Sequence, residues 1–125
     1  MKACDFTKDL SGAVSARIND LREGYGEAGL QLTDNLQTEA QNWANELALK
    51  NEEQDSPIFT DLIYRAWFYN LPIDVTPYHV TKNWVKYPEM RAKLLNSSQT
   101  KIGLGCAIRY NAPKSASVFV VAFFE

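Results

Sequence analysis

The chain has 125 residues, 46% hydrophobic and 22% charged, the make-up of an ordinary soluble globular protein long enough to bury one core. A net charge of −2 offers no footprint for nucleic acid, whose binding calls for a clearly basic face. No apolar run approaches the roughly 20 residues that span a bilayer, and neither repeats nor linkers divide the chain, so it reads as one domain over 1–125.

The N-terminal stretch MKACDFTKDL lacks the apolar segment of a signal peptide. The protein is therefore either cytosolic or a mature chain from which the signal has been removed. Cys4 and Cys106 could form one bridge, in keeping with an oxidising compartment, or stand as two thiols with one of them buried. Sequence does not choose between these, because a disulfide needs Cα atoms within about 7 Å.

Residues 5–25 read as a helix that Asp5 or Thr7 can cap, with Leu10, Val14, Ile18, Leu21 and Tyr25 on one apolar stripe. Gly24, Gly26 and Gly29 stop it, and a short extended piece, Leu30 to Leu32, follows. Asp34 with Gln37 three residues on makes a capping-box start for a second helix. Leu36, Ala40, Trp43, Ala44 and Leu47 form its stripe, so this helix should be buried along Trp43. The aromatic run 58–71, IFTDLIYRAWFYNL, is ambiguous between a short helix and a buried strand. Thr76 and Pro77 open a helix carrying Val80 and Trp84; Tyr87 and Pro88 end it and start another, where Met90, Leu94 and Leu95 face inward.

Lys101 to Arg109 then alternates, with Ile102, Leu104, Cys106 and Ile108 on one face and Gly103, Gly105 and Ala107 on the other. The small face allows another backbone to approach closely. A seven-residue loop, YNAPKSA, leads to the nearly all-apolar strand Val118–Phe124 in mid-sheet. Helices with a terminal antiparallel hairpin argue for the α+β class.

Little chemistry is written in these residues. His79 stands at none of the short spacings from Cys4 or Cys106 that zinc sites favour, and reads as a helix-borne imidazole beside Tyr78. Cys106 lies mid-strand on an apolar face, which suits a core residue better than an activated thiolate. Glu52 and Glu53 sit in a polar run and read as a solvated face. Gly103 and Gly105 precede no helix that could receive a phosphate. Tyr64, Trp67, Phe68 and Tyr69, with Phe59, make the densest aromatic cluster, either plain core or the lining of an apolar groove. Arg65 in its midst is expected to snorkel outward or to pair with Asp61.

The stretch from Trp84 to Ala107, WVKYPEMRAKLLNSSQTKIGLGCA, resembles the second signature region of the CAP superfamily, the cysteine-rich secretory, antigen 5 and pathogenesis-related proteins. LTDNLQTEAQNWANELA is similar to that family's early AQ-x-WA helix, and VFVVAFF to its last strand. The resemblance runs from about Ser15 to Phe124 and implies a three-layer α-β-α sandwich, a small antiparallel sheet flanked by helices. It also implies an extracellular, secreted chain, with a cytoplasmic one as the alternative.

Family members typically hold two histidines and two glutamates in a central cleft, often with a divalent metal. Here Met90, thirteen residues before Gly103, takes the place of the later histidine. Tyr87, three after Trp84, takes that of one glutamate, with Glu89 close by. The other glutamate should fall near Ile63, Tyr64 and Arg65, yet no carboxylate occurs between Asp61 and Asp74, and no histidine stands at 56–60. The implied reading is a degenerate, non-enzymatic binding module without metal or cofactor, for an apolar small molecule such as a lipid or sterol, or for a protein partner. A cleft-based hydrolase, or an unrelated intracellular α+β interaction domain, is the alternative.

Overall fold

A computed structural model of the chain describes residues 7–70 and 75–125. Helix α1 (Thr7–Gly24) buries Leu10, Val14 and Ile18, four residues apart on one face of a 3.6-residue period. The stripe continues not to Tyr25, which is 60% exposed, but to Arg22, which is only 1% exposed. The Arg22 guanidinium donates to the carbonyls of Ala28, Leu94, Asn96 and Gln99, which lets a cation sit among apolar groups. Burial holds it below the usual arginine pKa, with Glu27 pulling the other way.

Helix α2 (Asp34–Lys50) starts one residue earlier than the sequence suggests. Thr33, in extended backbone, accepts the Leu36 N–H and is the cap, which leaves Asp34 to favour the positive end of the helix. Its buried side is Leu36, Ala40, Ala44, Leu47 and Ala48. Trp43 is a half-buried flank whose indole N–H donates to the Gln54 carbonyl, so the expectation of a helix buried along Trp43 is corrected. A tryptophan there would have held the helix off the sheet, where alanines let it lie close. At its far end Asn51 adopts the left-handed conformation, φ 57°, and Arg109 donates to the carbonyls of Ala48 and Leu49. Helix α3 (Pro77–Lys86) is capped by Thr76 as expected, and α4 (Pro88–Leu94) follows after Tyr87.

Among the described residues four strands, β1 (Gln31–Leu32), β2 (Thr60–Tyr69), β3 (Lys101–Ala112) and β4 (Ser115–Phe124), form one sheet in the order β1-β3-β4-β2. All pairings are antiparallel except the short β1–β3 pair, which is parallel, so the sheet is mixed. The ambiguous aromatic run is a strand. The hairpin also differs from expectation: pairing runs on past Arg109 through Tyr110, with a shift of register before Ala112, and closes in a two-residue turn at Pro113 and Lys114. Lys114 takes the left-handed conformation, φ 67°. Backbone bonding carried these strands beyond the point where their apolar alternation ends.

The sheet separates two layers of core. Ile102, Leu104, Cys106 and Ile108 face α1, α3 and α4, in one cluster with Val14, Ile18, Val80, Leu94 and the wholly buried Trp84. The opposite face belongs to α2, which packs with Ala107, Phe119, Val121 and Phe123. A methyl on Gly103 would lie 2.2 Å from the carbonyl carbon of Leu36, and one on Gly105 2.5 Å from that of Ala40. The small-residue face is thus the seat of α2, and the three layers of an α-β-α sandwich are in place. Cys106 is 1% exposed; Cys4 lies outside the described residues, and with it the expected Cys4–Cys106 bridge.

Side chains also close one rim of the sheet. The outward backbone groups of β3 reach β1 only at its start, where Thr33 N–H meets the Ile102 carbonyl. Beyond it, Gln37 accepts the Leu104 N–H, while Gln41 accepts the Cys106 N–H at 3.1 Å and donates to its carbonyl at 2.7 Å. These bonds satisfy groups that would otherwise be stranded beside a helix.

Candidate functional site

The position that resemblance assigns to a histidine lies at a cleft. Met90, on α4, is half-buried and lines two adjoining cavities. One, about 250 Å³, is bounded by Asp61 and Ile63 of β2, Lys93 of α4, and Glu53 and Asp55 from the segment after α2. The other, about 370 Å³, is bounded by Tyr87, Pro88 and Glu89 at the α3–α4 junction. The helix break at Tyr87 and Pro88 sets Met90 where it touches both, with Leu94 one turn further on anchoring α4 in the core. Tyr87 and Glu89 are exposed on the rim.

Asp61 is the buried polar group of the cleft, 3% exposed. Its Oδ2 accepts the Ser56 N–H at 2.7 Å, and Lys93 Nζ donates to its backbone carbonyl at 3.1 Å. Burial pushes its carboxyl above the ordinary carboxylate pKa, the Ser56 N–H opposes this, Asp55 adds to the rise, and Lys93 opposes it. A carboxyl whose folded pKa is raised stabilises the fold fully below its unfolded value of about 4, and that stability is lost as pH rises through the folded value. Asp61→Asn is therefore expected to raise the melting temperature at pH 7 relative to wild type and to leave it unchanged near pH 3. Melting curves across that range check it; a lower Tm at pH 7 would contradict it.

The other sequence candidates lie elsewhere. Strand alternation splits the aromatic cluster: Tyr64 and Phe68 pack on the α1–α3–α4 core, while Trp67 and Tyr69 point to the other face and are 55% and 75% exposed. The four do not line one groove. Burial raises the Tyr64 phenol pKa. Arg65 does not pair with Asp61; its guanidinium lies 4.6 Å over the Trp67 ring and 4.8 Å over that of Phe119, and donates to Asn51. His79 is exposed on α3 beside Tyr78, as expected. Glu53 belongs to the cleft wall, which a polar run in sequence did not signal. Among the described residues no three His, Cys, Asp or Glu side chains converge as a metal cage would require, and no helix is long and apolar enough to cross a membrane. The cleft offers a thioether, aliphatic carbon and a charged rim.

A family model, the Cysteine-rich secretory protein family (CAP), matches residues 16–123. No curated protein sequence matches. Among solved structures, an outer surface protein of Borrelia burgdorferi is similar at TM-score 0.67 and 17% identity, over 99% of this chain and 97% of its own. MpPR-1i is similar at TM-score 0.68 and 16% identity, over 100% and 90%. The hookworm platelet inhibitor is similar at TM-score 0.63 and 15% identity, over 100% of this chain and 72% of its own. An extracellular SCP-domain protein of Bacillus anthracis is similar at TM-score 0.64 and 16% identity, over 94% and 41%. At these identities the likeness is one of fold.

Proposed function

The chain belongs to the cysteine-rich secretory protein (CAP) family, and from that premise we propose that it is a secreted, non-enzymatic binding module, a single domain over 1–125, that seats an apolar side chain of a protein partner in the Met90 cleft. The observation that carries this reading is what stands at Met90. A polarisable, unbranched thioether borders two cavities, at the place that the resemblance assigns to a metal-ligating imidazole. Methionine adapts its shape to an incoming apolar group and binds hard divalent cations poorly.

The lining favours a side chain over a whole lipid: Glu53, Asp55, Asp61 and Lys93 border the cavity of about 250 Å³, and Glu89 stands beside the one of about 370 Å³. The separation of Tyr64 and Phe68 from Trp67 and Tyr69 also weighs against the aromatic groove of a lipid reading. Extracellular settings among the fold neighbours, an outer surface protein and an extracellular SCP-domain protein, support secretion. One neighbour is a platelet inhibitor, which suits action by contact with another protein.

The chain has two methionines, so the Met90 Cε methyl is a nearly unique NMR reporter. Titrating N-acetyl-leucinamide should shift that methyl saturably at about 10 mM, the affinity that burying one leucine side chain supplies. Met90→Trp, which fills the cleft, should abolish probe binding while the fold persists. Saturable sterol or fatty-acid uptake lost in Met90→Trp or Trp67→Ala would replace the protein partner with a lipid. Heat on zinc or magnesium titration, or hydrolysis sensitive to a chelator, would favour the enzyme reading.

A further inference from the structure

The two rims of the sheet are treated differently. On β3 the outward N–H and C=O groups meet Thr33, Gln37 and Gln41 in turn. Strand β2 forms the other rim, and among the described residues β4 is its only strand neighbour. Asn70 N–H bonds back to the Lys114 carbonyl beside β4, so by strand alternation the odd residues of β2 direct their backbone groups outward. Lys93 covers the Asp61 carbonyl. Among the described residues no hydrogen bond reaches the outward backbone of Ile63, Arg65, Trp67 or Tyr69.

Such a rim is a template for another strand unless charge, proline or a bulge blocks it. Here β2 has no lysine or proline, and its single basic side chain, Arg65, is stacked on Trp67 and bonded to Asn51. Trp67 and Tyr69 stand exposed along the open part. We propose that two copies of this chain associate through this rim, β2 against β2 antiparallel, about a two-fold axis at Trp67.

The second copy is the occupant because β2 is complementary to its own reverse. Centred on Trp67, the pairing sets Trp67 against Trp67 of the second copy, an aromatic pair, and each Arg65 against Tyr69 of the other, with no like charges opposed. Centred on Arg65, it would set guanidinium against guanidinium. The outward groups of Arg65, Trp67 and Tyr69 on both copies supply about six backbone hydrogen bonds. So short a ladder falls below the roughly 1,200 Å² of a stable interface, which makes the dimer a concentration-dependent one. The two-fold relation makes it a closed pair and not a fibre. The inference does not rest on the Met90 cleft, which lies toward the Asp61 end of β2, and either can fail without the other.

Sedimentation of the wild-type chain from about 10 µM to 1 mM should show the dimer fraction rising with concentration. Trp67→Lys should remain monomeric throughout with an unchanged melting curve, and Tyr69→Lys serves if the first variant does not fold. A short bis-maleimide distinguishes registers: Trp67→Cys places the new thiols about 5.5 Å apart at Cα, whereas Arg65→Cys places them roughly 13 Å apart along the strands. With wild type as the background for Cys4 and Cys106, cross-linking should be about tenfold faster in Trp67→Cys than in Arg65→Cys. A wild-type monomer at 1 mM, or equal rates in the two cysteine variants, would overturn the proposal.

Discussion

Gly103→Ala is expected to destabilise the protein by at least about 3 kcal/mol and to lower its Tm by about 10 °C or more. The added methyl would meet the Leu36 carbonyl carbon at 2.2 Å and its oxygen at 2.3 Å. Those are backbone atoms of a capped helix that cannot turn aside as a side-chain tip does. Relief requires α2 to lift from the sheet, which pulls Gln37 and Gln41 from Leu104 and Cys106 and opens the layer containing Phe119 and Phe123. Gly12→Ala is the internal control. That residue is exposed in α1 with nothing within 4 Å of a new methyl, so the change should stabilise by about 0.5–1 kcal/mol. Thermal melts of both variants decide it: comparable Tm values would mean that helix and strand are not in the contact described.

Arg22→Ala is the second large loss, about 3–5 kcal/mol. The guanidinium serves the carbonyls of Ala28, Leu94, Asn96 and Gln99 at 2.7 to 3.5 Å, tying the end of α1 to the end of α4 and the turn that leads into β3. Without it those oxygens face a cavity or must recruit water. Arg22→Lys should recover less than half of the loss, because an ammonium offers three donors from one point and cannot reproduce a planar fork. Urea denaturation of the three proteins measures this. A lysine variant as stable as wild type would show that charge, and not the directed bonds, is what counts at this position.

Periodicity and small-residue patterning exposed much of this architecture in the sequence. The second helix, the Thr76 cap, the face of Ile102, Leu104, Cys106 and Ile108, and the glycine face opposite all stand where their spacing places them. Strand β2 was hidden because it carries apolar or aromatic residues on both faces, so neither a period of 2 nor one of 3.6 stands out. Arg22 escaped notice because charge suggests solvent. The signal was available nonetheless, since Leu10, Val14, Ile18 and Arg22 keep an unbroken spacing of four. Gln37 and Gln41 look like a solvated helix face, and only the sheet beside them reveals what they bond. The Met90 cleft draws on segments far apart in the chain, Glu53 to Lys93, and no local pattern announces it.

The contact between α2 and β3 repeats: Leu36 over Gly103 and Ala40 over Gly105 for packing, Gln37 to Leu104 and Gln41 to Cys106 for bonding. Four residues of helix advance about 6 Å and two of strand about 6.8 Å, so the two elements mesh like gears of nearly equal pitch. They stay in step for about two teeth and then drift. Inserting one residue between positions 36 and 41 would therefore rotate every later tooth by about 100°, disengaging half of the contact while leaving the helix itself intact. The pitch of α2 against β3 is thus an exclusion on length variation, and it falls on a segment that hydropathy alone would mark as tolerant.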